Sequence, residues 1–183
     1  MDREKLFKEL KKRVKNKNLI KHMLATEAVM RALAERLGED VEKWGIVGLL
    51  HDIDYEETKD RPEEHSLIGA EILENMGLSE DIIYAVKVHN PIHNLPRNSK
   101  LDKALYAVDP LTGLIVACAL ITPEKRLSKI DTAFVLRRFK EKAFAKGANR
   151  EQIKTCSELG LSLEEFIDIA LRAMQGISGQ LGL

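Results

Sequence analysis

Apolar residues recur at helical spacing from one end of this chain to the other, and no segment alternates apolar and polar residues as a half-buried strand would. That pattern restricts the 183 residues to an all-α fold. Caps and breakers set the expected boundaries. Residues 2–14 form an amphipathic opening helix, broken by Lys15-Asn16-Lys17. Asn18 caps a helix over 19–37, which Gly38 ends. Asp40 caps a helix from 41 to about 53, and 54–61 is a loop. Pro62 suits the first turn of a helix running to Met76, with Gly77 as its stop. Ser79 caps a helix from 80 to about 88, and the two prolines of 90–98 mark a loop. Ser99 caps a long helix over 100–121, with a kink expected at Pro110. Pro123 opens a short turn or helix, and helices follow over 131–146, 150–159 and 163–177.

Composition narrows the function. Lysine plus arginine balance aspartate plus glutamate at 29 each, so the charge carries no footprint for a nucleic-acid duplex. The basic run over 8–21 reads as a solvated helix face. No run of about 18 apolar residues is expected to span a bilayer, and the N-terminus lacks a signal peptide's apolar stretch. Cys118 and Cys156 have no metal-type spacing and read as reduced thiols of a cytoplasmic protein. The length fits a single domain over 1–183, with a core over about 18–122 and a helical extension over about 123–183.

Chemistry concentrates at His51-Asp52. The pair closes the apolar run from Trp44 to Leu50 and opens into Asp54-Tyr55-Glu56-Glu57. An imidazole and a carboxylate at the end of a buried helix are costly unless something pairs with them, and a divalent first-row metal suits both donors. The other candidates share this inward direction. His22 lies on the stripe of Leu19, Thr26, Val29 and Leu33. His65 heads Ile68, Gly69, Ile72 and Met76, and His89 ends Ile82 and Val86. Asp109 lies with Leu105, Tyr106, Thr112 and Val116. All five histidines fall at or before His93, a confinement that favours one metal site over independent buried histidines.

The ordered set His22, His51-Asp52 and Asp109 resembles the HD-domain metal-dependent phosphohydrolase superfamily. His65 in His65-Ser66-Leu67-Ile68-Gly69-Ala70 and His89 in Val88-His89-Asn90 are similar to the branch with a two-metal site. Lys103-Ala104-Leu105-Tyr106-Ala107-Val108-Asp109 looks like the family's final ligand helix. The resemblance covers roughly 18–122, and the rest is similar to the C-terminal helical extension of a narrower group of uncharacterised HD hydrolases. It implies an HD-domain helical bundle with additional C-terminal helices. It also implies a first metal on His22, His51, Asp52 and Asp109, and a second on His65 and His89 with Asp52 bridging. Iron, manganese, cobalt, nickel, zinc or magnesium would satisfy such a set, as one ion or two. The implied reaction is attack of metal-activated water on a phosphoester of a nucleotide or related small molecule, with Asp52 catalytic.

His93 is a further ligand, a general acid for the leaving group, or a loop histidine near the cleft mouth. The family's lysine shortly after the HD pair is replaced here by the acidic Ile53-Asp54-Tyr55-Glu56. Lys59, Arg61, Arg97 and Lys100 are the substitute phosphate contacts, Arg97 first because its fork engages two oxygens. Asp54 orients a ligand histidine or turns the chain, and Asn90 and Asn94 read first as turn residues. The C-terminal helices suit packing on the core first and a homodimer face second. Three other functions share the sequence: a di-iron oxygenase, a non-catalytic nucleotide- or metal-binding sensor, and a purely structural helical protein.

Overall fold

The computed structural model describes residues 2–183, and the secondary structure of those residues is helical without a strand. Helix α1 (Arg3–Arg13) is capped by Asp2, whose side chain accepts from the Glu4 N–H. Its first residue reaches across to α2 (Lys17–Leu37). The Arg3 guanidinium donates to both oxygens of Glu27, each at 2.7 Å. Glu27 is buried, and Arg31 gives it a third bond at 3.2 Å. The buried carboxylate is thus compensated from two helices. Asn16, not Asn18, caps α2: its side chain accepts from the Asn18 and Leu19 N–H groups. Both asparagines have cap chemistry, and the extended backbone at Asn16 decides between them.

Helix α3 (Val41–Leu50) starts on Asp40, which accepts from the Lys43 N–H. It lies against α2 more closely than side chains normally permit. A Cβ at Gly48 would stand 2.8 Å from the Glu27 Cα and amide nitrogen, so only glycine allows the two backbones to meet there. This approach sets the separation of the residues that α2 and α3 carry into the site. The helix ends at Leu50, three residues before the sequence suggests, and His51 begins a turn. The expected loop after it contains a short helix, α4 (Tyr55–Thr58).

Helix α5 (Leu67–Asn75) begins five residues later than Pro62 suggests. Ser66 adopts φ 70°, which interrupts any helix from Pro62. Its N–H turns to the Asp54 carboxylate, 2.8 Å away, and that bond holds the interruption. Consequently His65 is presented by a turn and does not head a helical stripe. Helix α6 (Glu80–His89) follows Ser79, whose hydroxyl bonds Asp81 and makes no cap bond. A single 3-10 turn over Pro91–His93 leads into the proline loop.

Helix α7 (Lys100–Leu120) opens with a reciprocal capping box between Ser99 and Asp102. It packs against α2, α3, α6 and the C-terminal elements, and so stands at the centre of the fold. By length and composition it is apolar enough to cross a membrane, with mean hydropathy 1.5 in its most apolar window, contrary to the sequence expectation. Here that apolar surface is spent on neighbouring helices: Leu105, Leu111, Leu114 and Ile115 are fully buried. Pro110 lies inside it and has no N–H for the Tyr106 carbonyl.

After the turn Leu127–Lys129 come α8 (Thr132–Lys140), α9 (Arg150–Lys154), a 3-10 continuation over Thr155–Leu159, α10 (Leu163–Gly176) and α11 (Ser178–Leu181). Helix α8 stops six residues short of Lys146, and Arg150 organises the intervening loop by donating to the carbonyls of Phe139, Glu141, Phe144, Ala145 and Ala148. Helix α10 packs on α2 and α8, and α9 on α7. Val135, Ile153, Phe166 and Met174 of these elements share one contiguous core with Leu33, Leu49 and Leu111. Each such side chain contributes about 2 kcal/mol by leaving water.

Candidate metal centre

Two helix C-termini point at one spot. His51 follows the last turn of α3, and His89 is the last residue of α6. In each, the imidazole Nδ1 folds back onto the carbonyl three residues earlier: Gly48 at 2.9 Å for His51, and Val86 at 2.6 Å for His89. This satisfies one of the carbonyls every helix end leaves free. It also puts the proton on Nδ1 and directs the Nε2 lone pair away from the helix, into the site. The negative ends of both helices then favour a cation there.

The other two imidazoles reach the same state by different partners. His65 donates its Nδ1–H to Asp54 Oδ1 at 3.0 Å. His22 turns its Nδ1 to Thr112 Oγ1 at 3.1 Å, and that hydroxyl gives its own proton to the Asp109 carbonyl at 3.0 Å. The hydroxyl is therefore an acceptor for His22. All four Nε2 atoms turn toward Asp52.

Asp52 stands between them with its oxygens divided. Oδ2 lies 3.6 Å from His22 Nε2 and 3.5 Å from His51 Nε2. Oδ1 lies 3.4 Å from His65 Nε2 and 3.5 Å from His89 Nε2. Asp109 Oδ1 completes the first group, 3.1 Å from His22 Nε2 and 3.7 Å from His51 Nε2. The donors thus form two sets, His22-His51-Asp52 and Asp52-His65-His89, that share one carboxylate.

A divalent cation fits this arrangement on its own chemistry. His22 Nε2 and His51 Nε2 are 3.1 Å apart. With both Nδ1 atoms protonated, that contact is lone pair against lone pair, and positive charge between the rings relieves it. The imidazoles and carboxylates also shift one another's proton affinity. Burial works to lower the pKa of His51, yet the Asp52 and Asp109 carboxylates raise it on balance. Burial works to raise Asp52 and Asp109, but the imidazoles of His51, His89 and His22 around the first, and of His22 and His51 around the second, hold both below the ordinary carboxylate range.

A cavity of about 620 Å³ opens over the cluster, lined by His22, Asp52, His65, His89 and Asp109 together with Asn16, Asn18, Leu19, Tyr55, Glu56, Lys59, Asn90 and Pro91. A smaller one, about 370 Å³, reaches His22 and Asp109 from the side of the C-terminal segment, between Pro110, Gly113, Ala145, Gly147, Ala148 and Gln152. All six expected metal ligands are brought together. Of the four expected phosphate contacts, one reaches the cavity. Lys59 lines the larger cavity. Arg61 instead pairs with Glu64, and Lys100 pairs with Glu39. Arg97 pairs with Glu158 at 3.1 Å and lies over the Tyr106 ring, its guanidinium carbon 4.0 Å from the centroid. None of these three is among the residues lining the cavity.

His93 is likewise absent from that lining. Its Nε2 donates to the His65 carbonyl at 2.8 Å, so it buttresses the turn that presents His65 and does not face the reacting space. Asn90 joins it, donating to the carbonyls of Pro62 and His65, and Asn94 turns the chain at φ 47°. Thr112, Tyr55 and Asn18 are site residues that carry no motif. Thr112 could have been suspected only from its place one helical turn after Asp109.

The HD domain family model matches residues 19–120. Among similar proteins are ribonuclease Y of Nitratidesulfovibrio vulgaris, 33% identical over 110 residues, which is 60% of this chain and 21% of that protein. Ribonuclease Y of Lawsonia intracellularis is 28% identical over 137 residues, 73% of this chain and 26% of its own length. That of Thermosipho melanesiensis is 37% identical over 87 residues, 47% of this chain and 17% of its own. The chain thus spans about a quarter or less of these curated relatives. With the ligand cluster assembled inside the matched segment, the chain belongs to the HD domain family.

Proposed function

We propose that this chain is a metal-dependent phosphohydrolase that cleaves a phosphoester of a nucleotide or related small molecule at a two-ion centre. The division of the Asp52 oxygens between two histidine sets carries this reading, because a shared carboxylate holds two ions at the spacing that phosphoryl transfer uses. Bound there, such ions would acidify a water and neutralise charge on phosphoryl oxygens. The chain's own residues set the rest. The four fixed imidazoles hold the donors without rearrangement, which is electrostatic preorganisation. Water oxygen adds to phosphorus, the ester P–O bond breaks, and the departing oxygen takes a proton. Lys59 is the one cation among the residues lining the larger cavity, and it meets the remaining phosphate charge. Tyr55, 44% exposed at the cavity and edge-on to His65 at 5.2 Å between centroids, offers a ring to a base.

The relatives named ribonuclease Y support phosphoester cleavage as the chemistry. The balanced charge and the cavity of about 620 Å³ favour a nucleotide-sized substrate over a long polyanion. The test begins with elemental analysis of protein purified without chelator, then reloading with manganese or iron and assay on nucleotides, dinucleotides and short RNA. About two equivalents of metal with nucleotide hydrolysis are expected. Cleavage confined to RNA would replace the substrate class, and bound iron with no hydrolysis would favour an oxygenase. Asp52→Ala should remove metal and turnover while circular dichroism stays helical, and turnover retained in that variant would sink the mechanism. Lys59→Ala should raise KM by roughly tenfold or more at unchanged metal content.

A further inference from the structure

Asp109 has the most exposed side chain of the six residues in the cluster. Its side chain is 29% exposed, and its recorded carboxylate contacts are to His22 and His51. Where it stands is therefore decided by the backbone of α7, and that backbone is irregular one residue later. Pro110 has no N–H, so the Tyr106 carbonyl loses the partner a regular helix would give it. An unpartnered carbonyl inside a packed helix is costly and lets the turn open.

The partner comes from outside the matched HD segment. Gln152 Nε2 donates to the Tyr106 carbonyl at 2.8 Å. Gln152 is buried, and its backbone N–H is itself held by the Asn149 side chain at 3.2 Å, so the donor arrives on a capped helix start. The same stretch grips Tyr106 a second time: Glu158 pairs with the Arg97 that covers the Tyr106 ring. Gln152 also shares the smaller cavity with Asp109, Pro110 and His22.

We propose that Gln152 is a positioning residue of the metal centre: by closing the gap that Pro110 leaves in α7, it sets where the Asp109 carboxylate stands against His22 and His51. The C-terminal segment is then a working part of the site and not only packing. The inference rests on the metal-centre reading, and the test separates the two.

Co(II) is titrated into metal-free protein and followed by its visible absorption, which reports ligand geometry independently of turnover. Gln152→Met keeps the length and removes the donor. It should weaken Co(II) binding at the first site by roughly ten- to a hundredfold and change the band shape, as loss of partners behind ligands does elsewhere. Pro110→Ala restores an N–H for the Tyr106 carbonyl. In that background Gln152→Met should change Co(II) binding little, because the carbonyl no longer needs the amide. A merely structural Gln152 gives unchanged Co(II) affinity and spectrum in Gln152→Met, or the same loss in both backgrounds, and either overturns the role. If Gln152→Met does not fold, Gln152→Asn, whose amide falls short of the carbonyl, carries the same comparison. Wild-type protein that takes up no Co(II) overturns the centre itself, and this inference with it.

Discussion

Asp54 is one carboxylate with three donors: His65 Nδ1–H at 3.0 Å, the Ser66 N–H at 2.8 Å and the Gly69 N–H at 2.9 Å. It holds the tautomer of His65 and, through Ser66, the left-handed residue that aims it. Asp54→Ala should cost about 2–4 kcal/mol in urea unfolding, because two buried amides lose their acceptor. It should also lower metal uptake from two equivalents to one, read by elemental analysis, since only the His65-His89 set depends on it. The clustering of His22, His51, Asp52, His65, His89 and Asp109 was legible because the sequence sets them facing inward. The orientations of Arg97 and His93 were left open by the sequence, and no spacing reveals them. Chain position between ligand elements does not say which way a side chain points, and Glu158 and the His65 carbonyl claim them. Thr112 and Gln152 were invisible because a hydroxyl and an amide act here through partners far away in the chain.

Between elements, the spacing of α2 and α3 depends on Gly48. A methyl group there meets backbone on three atoms at 2.8 Å, and backbone cannot swing aside as a long side chain can. Gly48→Ala should destabilise by about 1–3 kcal/mol or more, and it should weaken metal binding by widening the His22–His51 gap. Gly113, in the exposed middle of α7, is the contrast. Nothing lies within 4 Å of its would-be Cβ, and Gly113→Ala should stabilise by roughly 0.5–1 kcal/mol. Denaturant midpoints of the two variants should move in opposite directions. Most helices were readable from their ends, as Asp40, Gly38 and the Ser99–Asp102 pair show. The start of α5 was not, because φ 70° at a serine is imposed by a tertiary bond and has no signature in local propensity.

Over the whole molecule, one core links the matched HD segment to the helices after it, and Cys118 lies within it. Burial pushes its thiol up to about 11, against the downward pull of Arg138 and Arg150. In the unfolded chain the thiol ionises near its ordinary 9.0. The proton is thus held more tightly in the folded state. Its contribution is complete below pH 9 and is lost as pH rises toward 11. Cys118→Ala should therefore shrink the stability difference between about pH 8 and about pH 10.5 by roughly 2 kcal/mol, measured by urea unfolding. Helical packing of the C-terminal third was legible from its stripes, whereas its reach into the ligand helix through Gln152 was not.

The centre draws on residues far apart in the chain, His22 and Asp109 being separated by 87 positions. An ion held by both would act as a removable clasp: unfolding parts the two ligands and releases it. Because the parted ligands no longer form a site, the binding free energy would count directly toward folding. Free-metal concentration would then set the stability of the fold: at a hundredfold excess over Kd the folded state gains about 2.7 kcal/mol by mass action.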